Sequence, residues 1–164
     1  DDATLSQSFG PRQRMLLVGA GQLAASVAEL ALGLDYEVLV VDPREEARAD
    51  WRGPEVPLYG GMPDDAVREH ADDDQSLVIT LTHDPRIDDM ALMEALESRA
   101  WYVGALGSRR TTEARLGRLR ALGLSDEALA RLHAPVGLDI GSKTPPEIAV
   151  SILAELTRLR RRGL

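Results

Sequence analysis

Residues 16–24 read Leu-Leu-Val-Gly-Ala-Gly-Gln-Leu-Ala, and the next strongly apolar run of the chain ends at Asp42. The stretch predicts a short buried strand, a glycine turn and the start of a helix of about twelve residues. The apolar run before Asp42 predicts a second strand. Gly-x-Gly-x-x-Ala after a strand, with a carboxylate about twenty residues later, is typical of a βαβ unit that binds a dinucleotide.

Each position of the glycine turn has a physical role in such a unit. Gly19 can take the tight turn out of the strand, where a Cβ would clash. Gly21 lets the backbone approach a pyrophosphate, and Ala24 keeps the helix close to the strand. Gln22 and Leu23 open the helix, whose free N–H groups favour a phosphate. The same residues also suit a turn that keeps its packing role without a ligand, so both interpretations stay open.

The acid at the end of the second strand predicts which nucleotide would fit. Asp42 could accept hydrogen bonds from the two hydroxyl groups of a ribose, and its charge would repel a 2′-phosphate. Arg44 lies two residues further on and weakens the preference for NAD over NADP. The glycine turn and the acid together predict a nucleotide site that includes Asp42 and Arg44.

Composition limits the class of protein. The chain has 164 residues, enough for one domain, and is 44% apolar with only 4% aromatic residues. That balance predicts an aliphatic core of the kind found in parallel sheets covered by helices. A net charge of −8 argues against nucleic-acid binding. The sequence has no cysteine, so it offers no disulfide, thiolate ligand or cysteine nucleophile.

Targeting and metal signals are missing from the sequence. No apolar run approaches the length of a membrane span, and we recognise no signal peptide, so we expect a cytoplasmic protein without membrane contact. His83, His133, Asp84 and Asp139 have no spacing typical of a zinc site, so we expect no metal.

Apolar runs alternate with helical patterns along the chain, which predicts a doubly wound, mostly parallel sheet with helices on both faces. We predict strands at 14–18, 36–41, 55–59, 76–81, 101–105 and, more weakly, 135–138. We predict helices at 22–33, 64–71, 87–98, 110–122, 126–132 and 145–161. Residues 1–13 are polar and aperiodic, which indicates a flexible linker or a trimmed end, and residues 14–164 then form a single domain.

Polar residues follow several of the predicted strands, and the carboxyl ends of parallel strands meet at one sheet edge. Thr82 and His83 could contact a ligand there, and His83 with Asp84 could act in acid–base chemistry. Alternatively, Asp84 caps the next helix and His83 packs beneath it. The sequence has no Gly-x-Ser-x-Gly turn and no cysteine, so it offers no candidate nucleophile for covalent catalysis.

Two further turns are candidates for anion binding. Gly107 and Ser108 lead into a helix that begins with Arg109 and Arg110, which suits a phosphate or carboxylate. A helix cap with solvated arginines is the alternative, although two cations oppose the dipole of that first turn. Lys143, the only lysine, lies in a glycine-rich stretch and could neutralise a phosphate; an ordinary turn before a capped helix is again the alternative.

Three segments resemble a known family: 82–85 (Thr-His-Asp-Pro), 104–111 (Gly-Ala-Leu-Gly-Ser-Arg-Arg-Thr) and 137–152, which starts Gly-Leu-Asp-Ile-Gly-Ser-Lys-Thr-Pro-Pro-Glu. In order and spacing they are similar to the C-terminal domain of xanthine dehydrogenase accessory proteins, the XdhC/CoxI family. The resemblance covers roughly residues 14–160 and implies a Rossmann-like domain that binds the molybdenum cofactor and delivers it to an apoenzyme.

The resemblance also implies partners: a molybdenum hydroxylase of the xanthine dehydrogenase type, a sulfurtransferase, and a second copy in a homodimer. The family's N-terminal domain, with its cysteine-containing motif, has no match among these residues. The resemblance therefore implies either an isolated C-terminal domain or a short member that leaves sulfur chemistry to a partner.

Three functions fit these observations. The first is a maturation factor that binds a nucleotide-bearing cofactor, either NAD(P) or the molybdenum cofactor, which in bacteria is often a dinucleotide. The second is an NAD(P)-dependent oxidoreductase with His83 as acid or base, although the chain lacks room for a separate substrate domain. The third is a regulatory nucleotide sensor. We therefore expect a binding protein rather than an enzyme.

Overall fold

A parallel sheet of six strands runs through the computed structural model, which describes residues 12–163. The strands are β1 (Arg14–Val18), β2 (Glu37–Val41), β3 (Leu58–Tyr59), β4 (Ser76–Thr80), β5 (Tyr102–Ala105) and β6 (Leu132–His133). Their order across the sheet is β3-β2-β1-β4-β5-β6, and every neighbouring pair is parallel. This arrangement confirms the predicted fold class.

Seven helices connect and cover the strands in the described part of the chain. They are α1 (Gln22–Gly33), α2 (Glu45–Ala49), α3 (Pro63–His70), α4 (Pro85–Ala95), α5 (Arg109–Ala121), α6 (Asp126–Leu129) and α7 (Pro145–Arg162). None of these helices is long and apolar enough to span a membrane.

The two faces of the sheet bury separate aliphatic clusters. Side chains alternate across a strand, so Met15 and Leu17 of β1 join the cluster beneath α1 and α7. Leu16 and Val18 join the opposite cluster, beneath α3, α4 and α5. The chain therefore covers one face from the first and last helices and the other face from the middle of the sequence. Strand order reverses between β1 and β4, where an open parallel sheet binds its ligands.

The predicted sixth strand at 135–138 is wrong, because the strand lies at Leu132–His133. Pro135 has no N–H to donate to a ladder. Gly137 then adopts a φ of +99°, and its N–H donates to the Glu155 carboxylate of α7 at 2.9 Å. The helix predicted at 126–132 ends at Leu129, because the chain enters the sheet at Leu132.

Two more differences concern short elements. Strand β3 has two residues rather than the predicted five, and the five-residue helix α2 was not predicted. Residues 1–11 of the predicted linker lie outside the described residues. Gln13, which we had placed in that linker, accepts a hydrogen bond from Trp101 Nε1 at 2.6 Å. Gln13, one residue before β1, therefore contacts the folded domain.

Candidate functional site

A cleft of about 760 Å³ opens at the carboxyl edge of β1 and β4. Its volume lies in the usual range for small-molecule and cofactor sites. The lining comes from the loops after β1, β2, β4 and β5 and from the start of α7: Ala20, Gly21, Gln22, Leu23, Ala25, Arg44, Ala47, Asp50, Arg52, Leu81, Thr82, His83, Leu106, Lys143, Pro145 and Ile148. The cleft thus contains seven of the residues predicted from the sequence.

Gly19 and Gly21 differ in what the structure requires of them. Gly19 has a φ of +114°, and a Cβ there would lie 2.8 Å from Cγ2 of Thr82. It therefore allows the loops after β1 and β4 to touch. Gly21 lies at the N-cap of α1, exposed to the cleft, and a Cβ there would meet no atom within 4 Å. No side chain caps the N-terminus of α1, so the backbone at Gly21, Gln22 and Leu23 is open to a ligand.

Asp42 is completely buried at the end of β2, beneath the cleft rather than in its lining. Its Oδ2 accepts hydrogen bonds from the N–H of Ala20 and from Arg44 Nη2, both at 2.8 Å. Its Oδ1 accepts from the Arg44 N–H at 3.0 Å and from Arg44 Nε at 2.9 Å. The carboxylate therefore fixes the glycine turn and one arginine.

The charge of Asp42 is stabilised in spite of its burial. Burial alone would raise the pKa of Asp42, but the hydrogen bonds from Arg44 and from the Ala20 N–H outweigh it and hold the pKa below its ordinary value. Arg44 is partly exposed and lines the cleft. The predicted pair of Asp42 and Arg44 is therefore present, but the arginine is the partner that lines the cleft.

In the loop after β4, His83 faces the cleft, whereas Asp84 caps α4. His83 is exposed in the cleft with a φ of +66°, a conformation that costs energy for a residue with a Cβ. Asp84 instead caps α4, accepting the Arg86 N–H at 3.0 Å and pairing with the Arg86 guanidinium, which holds the pKa of Asp84 below its ordinary value. Thr82 accepts the Asp84 N–H at 2.9 Å.

The second predicted anion turn lies outside the cleft. Ser108 and Thr111 form a capping box at the start of α5, and the Ser108 hydroxyl accepts the Thr111 N–H at 3.1 Å. Arg109 and Arg110 are exposed on this helix, and neither they nor Gly107 and Ser108 line the cleft, which only Leu106 reaches from this loop. The structure therefore shows a capped helix at this turn, and anion binding by these residues stays a prediction.

A buried ionic network beneath the cleft was missed in the sequence. Asp88 is fully buried on α4, and its Oδ1 accepts a hydrogen bond from Thr82 Oγ1 at 2.6 Å. Arg115 is buried on α5, lies 4.0 Å from Asp88 Oδ2 and donates to the Leu106 carbonyl at 3.2 Å. Arg118 pairs with Asp89 at 2.7 Å. The network therefore supports, from below, two of the loops that line the cleft.

Helical periodicity in the sequence could have predicted that Asp88 is buried. Asp88 precedes the buried Ala91 and Leu92 by three and four residues, which places it on the inner face of α4. Burial raises the pKa of Asp88, against the opposing effect of the Thr82 hydrogen bonds and the Arg115 charge.

Lys143 lines the cleft, just before the Thr144 cap of α7. Its N–H donates to Glu147 Oε1 at 2.9 Å, and its side chain is exposed. Within residues 12–163, no three His, Asp or Glu side chains are grouped so that they could hold a metal ion. The donor groups of the cleft are amides, guanidiniums and an ammonium, which suit the phosphate of a cofactor rather than a metal.

The strand order, the glycine turn and the cleft at the reversal point define a Rossmann-like α/β domain. The chain belongs to the XdhC family, because the family model described as the XdhC Rossmann domain matches residues 15–156. This match confirms the resemblance that three segments of the sequence had indicated.

Three proteins show the extent of the similarity. The uncharacterized protein YqeB of Escherichia coli K12 is 36% identical over 155 residues, which are 92% of this chain and 28% of YqeB. The molybdenum cofactor insertion chaperone PaoD of Escherichia coli K12 is 30% identical over 152 residues, 93% of this chain and 42% of PaoD. A crystal structure described as a xanthine dehydrogenase from Bacillus halodurans has a TM-score of 0.79 at 28% identity, covering 95% of this chain and 45% of that one. The chain thus spans less than half the length of each relative.

Proposed function

We propose that this domain takes part in the maturation of a molybdenum hydroxylase by holding a phosphate-bearing cofactor in the cleft between β1 and β4. The observation that carries the proposal is the cleft itself, which joins the uncapped start of α1 to Arg44 and Lys143 at the reversal point of the sheet. The name of its relative PaoD, a molybdenum cofactor insertion chaperone, supports the choice of cofactor.

The residues divide the work of binding. The backbone at Gly21 and Gln22 would donate hydrogen bonds to a phosphate, and Arg44 and Lys143 would neutralise its charge. Thr82 and His83 also line the cleft and would contact the rest of the cofactor. When bound, the cofactor supplies the molybdenum centre that the hydroxylase uses. The protein holds the phosphate-bearing part and keeps the cofactor available for transfer.

The partners follow from the same proposal. The receiving protein is a molybdenum hydroxylase apoenzyme, in keeping with the xanthine dehydrogenase described for the related crystal structure. Since this sequence contains no cysteine, a separate sulfurtransferase would supply any sulfur that the cofactor needs. The homodimer also stays a prediction, which light scattering of the purified chain would test.

Calorimetric titration with NAD, NADP, CDP and isolated molybdenum cofactor tests the proposal. We expect the molybdenum cofactor to bind, and Gly21→Val to weaken that binding about tenfold or more, because a branched side chain would stand where the phosphate approaches the backbone. Gly61→Val is the matched control, since its added Cβ also meets no atom within 4 Å and Gly61 lies outside the cleft lining. Equal binding to all three proteins, or no binding of the molybdenum cofactor, would contradict the proposal.

A second candidate function is an NAD(P)-dependent oxidoreductase, favoured by the strained, cleft-facing His83. Energetically costly backbone conformations cluster at functional sites. This candidate predicts turnover of NADH or NADPH with a small carbonyl or pterin substrate, lost in His83→Ala. Cofactor binding without turnover would leave the maturation role as the better account.

A further inference from the structure

The hydrogen bonds that Asp42 already makes bear on whether the cleft can recognise the hydroxyl groups of a ribose. A carboxylate offers about four acceptor positions, and four donors from Ala20 and Arg44 contact its two oxygens at 2.8–3.0 Å. The side chain is also fully buried. A ribose with free 2′- and 3′-hydroxyls therefore meets no available acceptor on Asp42, which argues against the preference for NAD over NADP that the position of Asp42 in the sequence predicts.

Arg44 takes the place of the acid at the surface of the cleft. Its Nε and Nη2 donate to Asp42, which holds the guanidinium in one orientation. A guanidinium has five N–H donors, so others remain for a ligand. Arg52 and Lys143 also line the cleft, whereas Asp50 supplies its acidic side chain. The lining is therefore positive, although the chain as a whole carries a net charge of −8.

We propose that the cleft selects a ligand with a terminal phosphate monoester over the same kind of ligand ending in a free ribose diol. A phosphate monoester carries nearly two negative charges at neutral pH and three acceptor oxygens. An oriented arginine binds such a group through parallel hydrogen bonds. This inference rests on the proposed function, that the cleft holds a phosphate-bearing cofactor, and adds which chemical form of cofactor is held.

Two sources carry this chemistry. One is a dinucleotide with a 2′-phosphate, and the other is a pterin cofactor whose phosphate is not joined to a nucleotide. Competitive titration with NADPH against NADH tests the first, and titration with the pterin monophosphate against its cytosine dinucleotide tests the second. In at least one pair, we expect the phosphate monoester to bind about tenfold more tightly or better.

Substitutions separate the role of Arg44 from general electrostatics. Arg44→Ala removes the oriented guanidinium and uncovers acceptor positions of Asp42. We therefore expect the ratio of affinities, phosphate monoester over diol ligand, to fall about tenfold, to equal binding or to a preference for the diol. Lys143→Ala, which does not contact Asp42, should weaken the phosphate ligands about threefold without improving binding of the diol ligands. Arg120→Ala, on an exposed arginine of α5 outside the cleft, is the control for loss of charge.

The outcomes distinguish the inference from the proposed function. Equal binding within each pair, or tighter binding of NADH and of the cytosine dinucleotide, would overturn the selection of a phosphate monoester and leave a cofactor-binding domain. Absence of binding by all four ligands would overturn the proposed function itself. If Arg44→Ala fails to fold, Arg44→Lys keeps the charge without two parallel donors, and an unchanged preference in that variant would also overturn the inference.

Discussion

Gly19 and Gly21 share one motif but should respond differently to substitution. Gly19→Ala would place a methyl group 2.8 Å from Thr82 Cγ2 at a φ of +114°, so we expect the free energy of unfolding to fall by about 1–3 kcal/mol. Gly21→Ser, at an open position where serine can cap α1, should change it by less than about 0.5 kcal/mol. Urea unfolding of both variants measures the contrast, and equal losses would show that the close approach at Gly19 does not matter.

His83 holds a conformation that a glycine would adopt with less strain. His83→Gly should therefore be about 0.5–1 kcal/mol more stable than His83→Ala, which keeps the positive φ of 66°. Thermal unfolding of the two variants is the measurement. Both variants lack the imidazole, so they should lose any ligand contact of His83 equally. If His83→Gly is the less stable variant, the backbone at this position is not strained.

Asp88 couples α4 and α5 to the loop beneath the cleft, and its charge should make stability depend on pH. Its pKa in the folded protein is raised, chiefly by burial, so between the ordinary and the folded value the native state holds more protons than the unfolded chain. The contribution of Asp88 to the free energy of unfolding should therefore rise as the pH falls through the folded pKa. It should decrease again as the pH returns to neutral.

Asp88→Asn tests this pH dependence directly. The amide keeps an oxygen that can accept the Thr82 hydroxyl at its present distance of 2.6 Å but does not titrate. We expect the difference in unfolding free energy between wild type and variant to shift in favour of wild type as the pH is lowered from 7 through the folded pKa of Asp88. Asp89 and Arg115 face the same network and are unchanged in the comparison. Parallel pH profiles for the two proteins would contradict the expectation.

The elements with clear periodicity were predictable, and the exceptions have physical reasons. Alternate residues of β1 feed both core clusters, and the buried residues of α7 repeat at helical spacing, so both elements could be predicted. Helix α2 has no buried residue, so no apolar pattern marks it. Strand β6 has only two residues, and its two pairs with β5 depend on tertiary contacts rather than on local sequence.

The candidate site was predictable in position but not in detail. Spacing alone placed Asp42 at the end of β2, close to the glycine turn, and the structure has it there. Spacing could not show that Arg44 would fold back on Asp42 and occupy its acceptors. Likewise, Ser108 and Thr111 satisfy each other at the start of α5, which the pattern of polar residues could not distinguish from an anion site.

Helix α7 is joined to the sheet and to the loop after β6 by hydrogen bonds to the buried Glu155 carboxylate. Tyr102 of β5 donates to Glu155 Oε1 of α7 at 2.6 Å, and the same oxygen accepts the Gly137 N–H at 2.9 Å. Burial and the carboxylate together raise the pKa of Tyr102 far above its ordinary value, so its hydroxyl stays a donor at physiological pH. The group thus connects the sheet, the loop after β6 and the helix whose first residues line the cleft.

Two tyrosine-to-phenylalanine substitutions should therefore differ in their effect on the stability of the whole molecule. Tyr102→Phe removes a donor from the buried Glu155 carboxylate and should lower the free energy of unfolding by about 1–3 kcal/mol. Tyr36 is equally buried, but its hydroxyl has no hydrogen-bond partner within the described chain. Tyr36→Phe should leave stability unchanged or raise it by up to about 1 kcal/mol, since the ring and its contact with Arg160 remain. Urea unfolding of both variants measures the difference, and an unchanged free energy of unfolding for Tyr102→Phe would show that the fold does not depend on the bond between Tyr102 and Glu155.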